Sequence, residues 1–149
     1  MKFQKKVCGF LKRFKKIVVS LLLVLVLTLT ACSRTTPLPN GMDADALIAS
    51  GREVLLLLVE GEYDAVHELL RADQRAQFTV EDIRTVVTAE LDGAGVYEQI
   101  DDHMTTGSTI NNEQYGIAVF YCDFSEEDVL VRISFDQQMQ LVGFALEQE

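Results

Sequence analysis

The hydrophobic residues of this chain change their spacing near two glycines, Gly93 and Gly95. Over residues 43–92 they recur every three or four positions, the spacing that places side chains on one face of a helix. After Gly95 they alternate or run continuously through segments rich in β-branched and aromatic residues, as in strands. Helices that precede a run of strands predict an α+β domain, with the helices covering one face of an antiparallel sheet.

Three helices are predicted in the first half. An aspartate, Asp43 or Asp45, can cap the first helix, and Gly61 can end it. The second helix is expected over residues 62–72. The third is expected to open at the capping motif of residues 79–82, in which a threonine is followed three positions later by an acid.

Four strands are predicted in the second half. We expect them at residues 96–106, 115–124, 129–135 and 140–147. Turn-forming residues separate the strands, including Gly107-Ser108 and Asn111-Asn112 after the first one. Residues 115–121 are apolar on both faces, so the second strand should be central. The sequence therefore predicts N-terminal helices packed on a curved four-stranded antiparallel sheet.

Residues 1–31 have the parts of a bacterial export signal. Seven basic residues and no acidic residue occupy positions 1–16, and an apolar run covers residues 17–29. That run is shorter than the roughly 20 residues needed to cross a bilayer, which favours cleavage over a retained anchor. The sequence Leu29-Thr30-Ala31-Cys32 resembles the lipobox at which lipoprotein precursors are lipidated and cut.

The lipoprotein prediction divides the chain into three parts. Residues 1–31 are the signal peptide, residues 32–42 are the lipidated Cys32 and a tether, and residues 43–149 are a single α+β domain. Two or three acyl chains on Cys32 would anchor the protein stably. We therefore expect the domain at the extracytoplasmic face of the cell membrane, with the membrane as a partner through the lipid on Cys32.

The charge of the mature chain excludes one class of partner. Removal of the signal leaves six arginines, no lysine and 23 acidic residues, a net side-chain charge of −17. Such a charge repels phosphate backbones and anionic headgroups. We therefore expect no nucleic-acid partner and a domain that stands off the membrane surface.

Residues that could bind a metal or act as a nucleophile are isolated in the sequence. Cys122 lies in the apolar run 117–124 without a basic or histidine neighbour, so we predict a small buried hydrophobe. His67 has no second histidine or cysteine at metal-ligand spacing, so we predict a partly exposed helix residue. Phosphate loops, serine elbows and zinc signatures are absent. The sequence predicts no metal site and no cofactor.

Several local motifs resemble an uncharacterised family of domains from secreted prokaryotic proteins. They are Gly61-Glu62-Tyr63-Asp64, Phe78-Thr79-Val80-Glu81, the segment 95–100 and the segment 139–143. The resemblance covers about residues 43–147. It implies a cone-shaped fold similar to those of cystatin, nuclear transport factor two and ketosteroid isomerase. Because the motifs consist of structural glycines and aromatic residues, it implies no particular activity.

The resemblance also implies where a ligand-binding or catalytic site would lie. Cone-shaped domains of this kind enclose a cavity between sheet and helices, and an apolar cavity is the default ligand site. Enzymatic relatives add an acid or histidine base there. The catalytic candidates in this chain are Asp101 and His103, which strand alternation places on one face, with Asp102 on the other. The alternative interpretation is an exposed polar edge strand.

Two functions remain open. The preferred hypothesis is a non-catalytic domain that binds a small apolar ligand or a protein partner. The alternative is a small enzyme of the isomerase or dehydratase kind, with Asp101 or His103 as its base. A homodimer through the sheet is also open, although a charge of −17 opposes it at low salt.

Overall fold

Four helices precede four strands in the computed structural model, which describes residues 36–149. The helices are α1 (Ala44–Glu60), α2 (Tyr63–Leu69), α3 (Ala72–Arg75) and α4 (Val80–Glu90). The strands are β1 (Tyr97–Ile110), β2 (Glu113–Phe124), β3 (Val129–Asp136) and β4 (Leu141–Gln148). The predicted α+β class is confirmed, and the arrangement is consistent with the predicted cone-shaped fold.

The sheet is an antiparallel meander in the order β1-β2-β3-β4. Strand β2 is central, as predicted from its two apolar faces. Strand β1 is longer than predicted, because Gly107 and Ser108 pair with Gly116 and Tyr115 instead of forming a turn. The chain turns instead at the next cluster, Asn111-Asn112, where both residues have positive φ angles of 52° and 66°. Two consecutive residues with positive φ are typical of a tight hairpin turn.

Helix α1 has the ends that its sequence predicts. The Asp43 carboxylate accepts a hydrogen bond from the Ala46 amide at 2.8 Å. Gly61 ends the helix in the left-handed conformation, with φ of 78°. Between these ends, Gly51 lies so close to β2 that a Cβ atom there would be 2.7 Å from the Cβ atom of Ala118. The missing side chain therefore lets α1 pack directly on the central strand.

The predicted second helix is interrupted at Leu70. This residue has an extended backbone and forms a parallel bridge with Leu141, and the Arg71 amide donates to the Leu141 carbonyl at 2.7 Å. Burial of Leu70, which is 5% exposed, compensates for the break in the helix. The chain resumes as the short helix α3, so residues 62–72 are not one helix.

The helices cover one face of the sheet. Phe120 and Ile133 on that face are fully buried against Leu47, Leu55 and Leu58. On β3 the predicted alternation is confirmed, since Val129, Val131, Ile133 and Phe135 all belong to this core. The side chains of α1 thus fill the space beneath the central strands.

The predictions for the export signal and for lipidation of Cys32 lie outside the described residues. Of the predicted tether, residues 36–42 are described, and they pack on the domain. Pro39 is buried there, and Leu38 and Met42 pack against the core. Within residues 36–149, the structure contains no helix of the length and apolar character that a membrane span requires.

Candidate functional site

An open apolar groove lies between α4 and the edge strand β4. Its volume is about 500 Å³. The side chains that make it apolar are Leu70, Phe78, Ile83, Val86, Val142 and Phe144. Phe78 and Val86 both line the groove and are 49% and 47% exposed, so the groove presents an exposed apolar surface. The groove is therefore a surface that can bury more apolar area when a ligand occupies it.

Phe78 is held at the mouth of the groove by hydrogen bonds around the start of α4. The Nε2–H of His67 donates to the Phe78 carbonyl at 2.9 Å, since a carbonyl can only accept. His67 is a half-buried helix residue, and this bond fixes the chain just before α4. The next residue, Thr79, begins the helix through the predicted capping box with Asp82. Hydrogen bonds thus fix the backbone at Phe78, on the turn that leads into α4.

Asp82 is the carboxylate among the described residues that line the groove. It accepts hydrogen bonds from the Thr79 hydroxyl at 2.7 Å and from the Thr79 amide at 2.8 Å. These bonds lower the pKa of Asp82 below its ordinary value. Because its Oδ2 atom already accepts both of these bonds and its pKa is lowered, Asp82 is poorly suited to be a proton donor or base for a ligand.

A second hollow, of about 360 Å³, lies on the other face of the sheet. It shares Val142, Gly143 and Phe144 with the groove and is completed by side chains such as Ile110 and Ile117. The shared segment follows an irregularity in β4, where Phe135 pairs with Leu141 and Ser134 pairs with Gly143. Val142 is thus an extra residue in the edge strand, and the bulged segment borders both hollows.

The strand register does not follow the alternation that was predicted for the catalytic candidates Asp101 and His103. A register shift lies between Ile100 and Asp102, so the alternation on which the prediction rested is interrupted at Asp101. His103 pairs with Phe120, its ring centroid 6.5 Å from the phenyl centroid, on the face that the helices cover. Asp101 instead borders a small hollow of about 220 Å³ together with Asp102. Strand alternation therefore does not place Asp101 beside His103, and the local sequence gives no sign of this bulge.

The small hollow is strongly acidic. Its carboxylates are Asp101, Asp102, Asp123, Asp128 and Glu149. Nevertheless, the described residues contain no group of three or more histidine, cysteine or acidic side chains placed to hold a metal ion. Asp101 and Asp102 are on the edge strand β1 and are exposed, as the alternative interpretation expects.

Cys122 is a free cysteine in the core, as the sequence predicts. Its side chain faces the helices and the residue is 2% exposed. Burial, with a smaller contribution from the nearby Asp123 charge, raises the pKa of the Cys122 thiol to about 12. The thiol therefore stays protonated at neutral pH and is a poor nucleophile.

A cluster around Arg71 was not anticipated from the sequence. The guanidinium lies 2.7 Å from Asp73, 2.5 Å from Glu113 and 3.3 Å from Asp136. Hydrogen bonds that the guanidinium donates to these carboxylates raise the pKa of Arg71, and they lower the pKa of Asp73. The pKa of Glu113 is lowered by the hydrogen bond from the Tyr115 hydroxyl and then by Arg71. The pairs join α3, the β1–β2 hairpin and the end of β3. Only Asp73 is near Arg71 in the sequence, so the pairs with Glu113 and Asp136 could not be predicted from neighbouring residues.

Comparison with known proteins gives a family and a fold. The model of a family described as protein of unknown function (DUF3887) matches residues 52–144. No curated protein matches the chain significantly. An NMR structure of a protein from Ruminococcus gnavus ATCC 29149 is similar, with a TM-score of 0.64 and 20% identity over 74% of this chain and 96% of that chain. At this identity the likeness shows the fold alone.

Proposed function

This chain belongs to the DUF3887 family of proteins of unknown function, and we propose that it is a non-catalytic domain that binds an apolar ligand. We further propose that a lipid on Cys32 anchors it at the extracytoplasmic face of the cell membrane. The observation that carries the binding role is the groove between α4 and β4. Lipid anchoring rests on the sequence before Cys32. The two parts are tested separately.

The groove has the size and the lining of a ligand site. Its volume of about 500 Å³ is within the range of about 300–1,000 Å³ that is usual for small-molecule sites. An apolar ligand would cover Phe78 and Val86, which are half exposed in the free domain. Removal of their apolar surface from water would stabilise the complex by the hydrophobic effect.

The polar groups of the groove support binding rather than catalysis. Asp82 is engaged in the helix cap, and the other polar side chains that line the groove belong to Gln77 and Thr85. An amide and a hydroxyl can orient a ligand, whereas acid–base catalysis needs a group that exchanges a proton near the working pH. Among the described residues of the groove, none fits that need.

The lipid anchor is supported by the sequence of residues 1–32. A basic segment, a short apolar run and Leu29-Thr30-Ala31-Cys32 occur in the order that lipoprotein precursors have. Incorporation of an alkyne-tagged fatty acid into the full chain, expressed in a bacterium, tests this directly. We expect labelling of the wild-type chain and its loss in Cys32→Ser. Equal labelling of both would refute the anchor.

Binding in the groove is tested with N-phenyl-1-naphthylamine, an uncharged probe that fluoresces in apolar sites. Val86→Glu places a charge in the groove at a position that is half exposed, so the fold should tolerate it. Val96→Glu is the matched control, because Val96 is 72% exposed and does not line the groove. We expect probe fluorescence to be lost in Val86→Glu and kept in Val96→Glu. Equal fluorescence would place the probe elsewhere.

A further inference from the structure

Residues 36–42 form a fixed strap on the domain. The Gly107 amide of β1 donates to the Thr36 carbonyl at 2.7 Å. Pro39 is buried, and the Met42 amide donates to the Pro39 carbonyl at 3.1 Å. Leu38 and Met42 pack against the core. The strap is therefore attached both by backbone hydrogen bonds and by apolar contacts.

Two paired glycines make room for the strap. A Cβ atom on Gly107 would be 2.1 Å from the Pro37 carbonyl oxygen, a contact that the backbone cannot accept. On the neighbouring strand, a Cβ atom on Gly116 would be 2.6 Å from the Met42 methyl carbon. Gly107 and Gly116 are directly opposite in the β1–β2 ladder. The two glycines thus leave a surface without side chains, and the strap packs directly on the backbone of the sheet there.

We propose that the lipid on Cys32 holds one end of the domain against the bilayer, because only residues 33–35 separate Cys32 from the strap. This inference rests on the proposed lipid anchor. Four peptide units join Cys32 to Thr36, and a fully extended chain of that length spans at most about 14 Å. A domain of this size on so short a tether has a preferred orientation and does not tumble freely above the membrane.

The strand register identifies the end that faces the bilayer. The strap meets β1 at Gly107, three residues before the strand ends at Ile110. The hairpin turn Asn111-Asn112 is therefore at this end. The turn between β3 and β4 lies beside it, since Gln137 donates to the Gln114 side chain at 3.1 Å. We call the two turns together the strap end.

The uncharged turn and the exposed apolar side chain at the strap end favour this orientation. The hairpin turn is uncharged, and Ile110 before it is 57% exposed. Glu113 and Asp136 share the Arg71 guanidinium with Asp73. Asp43 and Asp45, which follow Met42 at the start of α1, are also exposed at this end. The opposite end of the sheet carries exposed acids without such a partner nearby. They are Asp92, Glu126, Glu127, Asp128 and Glu149. Because acids are present at both ends, anionic headgroups repel both. The short connection to Cys32 and the exposed Ile110 are what place the strap end at the bilayer.

The orientation is measured by energy transfer from the domain to lipids. The full chain is expressed in a bacterium with Asn112→Cys or Glu127→Cys, purified with its lipid and labelled with a thiol-reactive donor dye. Cys122 is buried and stays unlabelled. Vesicles of phosphatidylcholine and phosphatidylglycerol carry the acceptor lipid in the outer leaflet. The strands separate the two labels by about 40 Å.

Several-fold greater transfer from position 112 than from position 127 is the expected result. Insertion of about ten glycine and serine residues after Ser33 should abolish the difference, because a flexible linker of that length lets the domain rotate. Gly107→Ala, which displaces the strap, should reduce the difference, and Gly143→Ala should not, since nothing lies within 4 Å of its added Cβ atom.

Each other outcome overturns the inference. Equal transfer from both positions in the lipidated wild-type chain would show that the strap does not orient the domain, while the lipid anchor itself would stand. A difference that persists with the inserted linker would show that the tether does not set the orientation. A chain whose mass shows no lipid on Cys32 would overturn the anchor and this inference together.

Discussion

Arg71 and Asp136 form an ion pair in which the carboxylate is almost inaccessible to water. The guanidinium Nη1 lies 3.3 Å from Asp136 Oδ2, and the Asp136 residue is 3% exposed. The other oxygen, Oδ1, accepts from the amides of Gln138 and Gln140 at 3.0 and 2.9 Å. Asp136 therefore shapes the turn that leads into β4, and Arg71 neutralises its charge.

Arg71→Ala should destabilise the domain strongly, because it leaves the buried Asp136 carboxylate without its cation. We expect a loss of about 3 kcal/mol in the free energy of unfolding, measured by urea denaturation. Arg132→Ala is the matched control. Its pair with Glu147 is exposed at both partners, so the expected loss is below about 1 kcal/mol. Equal losses in the two variants would contradict the structural role of Arg71.

Because of the capping box of α4, we expect the stability of the domain to fall as the pH is lowered into the acidic range. The folded pKa of Asp82 is lowered from 3.8 by the bonds from Thr79. The stabilisation that ionised Asp82 contributes is therefore complete above the pKa of Asp82 in the unfolded chain. It is lost as the pH falls through the lower pKa of Asp82 in the folded domain. Below about pH 4, we expect Asp82→Asn to lose less stability than the wild type as the pH is lowered. Parallel pH profiles of the midpoint temperature would refute this.

Gly51→Ala should destabilise the protein although alanine favours helices. The added Cβ atom would be 2.7 Å from Ala118 and 2.9 Å from the Phe120 ring, both fully buried. Overpacking of this kind costs about 1–3 kcal/mol, which exceeds the gain of about 1 kcal/mol in helix propensity. Urea denaturation measures the difference. A more stable variant would show that α1 does not pack on β2 as described.

Cys122 should resist thiol reagents until the protein unfolds. It is 2% exposed and its pKa is raised to about 12, so little thiolate is present at neutral pH. The matched control is Asn112→Cys, whose added thiol lies on the exposed hairpin turn. Reaction with a chromogenic disulfide should be fast for position 112 and slow for Cys122. Similar rates in the native state would contradict the burial of Cys122.

Capping and helix-ending residues could be recognised in the sequence because they act on residues only a few positions away. The end of α1 at Gly61 and the capping box of residues 79–82 were predicted correctly, and the cap of α1 is Asp43, one of the two aspartates predicted for it. Interactions between distant residues decided the rest. Leu70 leaves the helix to pair with Leu141, and Gly107 extends β1 beneath the strap. Neither partner can be recognised from the sequence around the residue.

The site was less accessible to sequence reasoning than the fold. Phe78 and Val86 belong to a helix opening and a helix stripe, which gave no sign that both would border one groove. Strand alternation misplaced Asp101 because a bulge follows Ile100. Membership of an uncharacterised family is confirmed, whereas the relation to nuclear transport factor two, the homodimer and the domain boundaries stay predictions.

Native mass spectrometry of the full chain, purified from bacterial membranes under mild conditions, tests the binding function most directly. We predict an additional mass at unit stoichiometry on the wild-type chain and on Val96→Glu, and its absence on Val86→Glu. That pattern would assign the ligand to the groove beside Phe78. A wild-type chain without a bound ligand, or one whose ligand is retained by Val86→Glu, would contradict the proposal that the groove is the binding site.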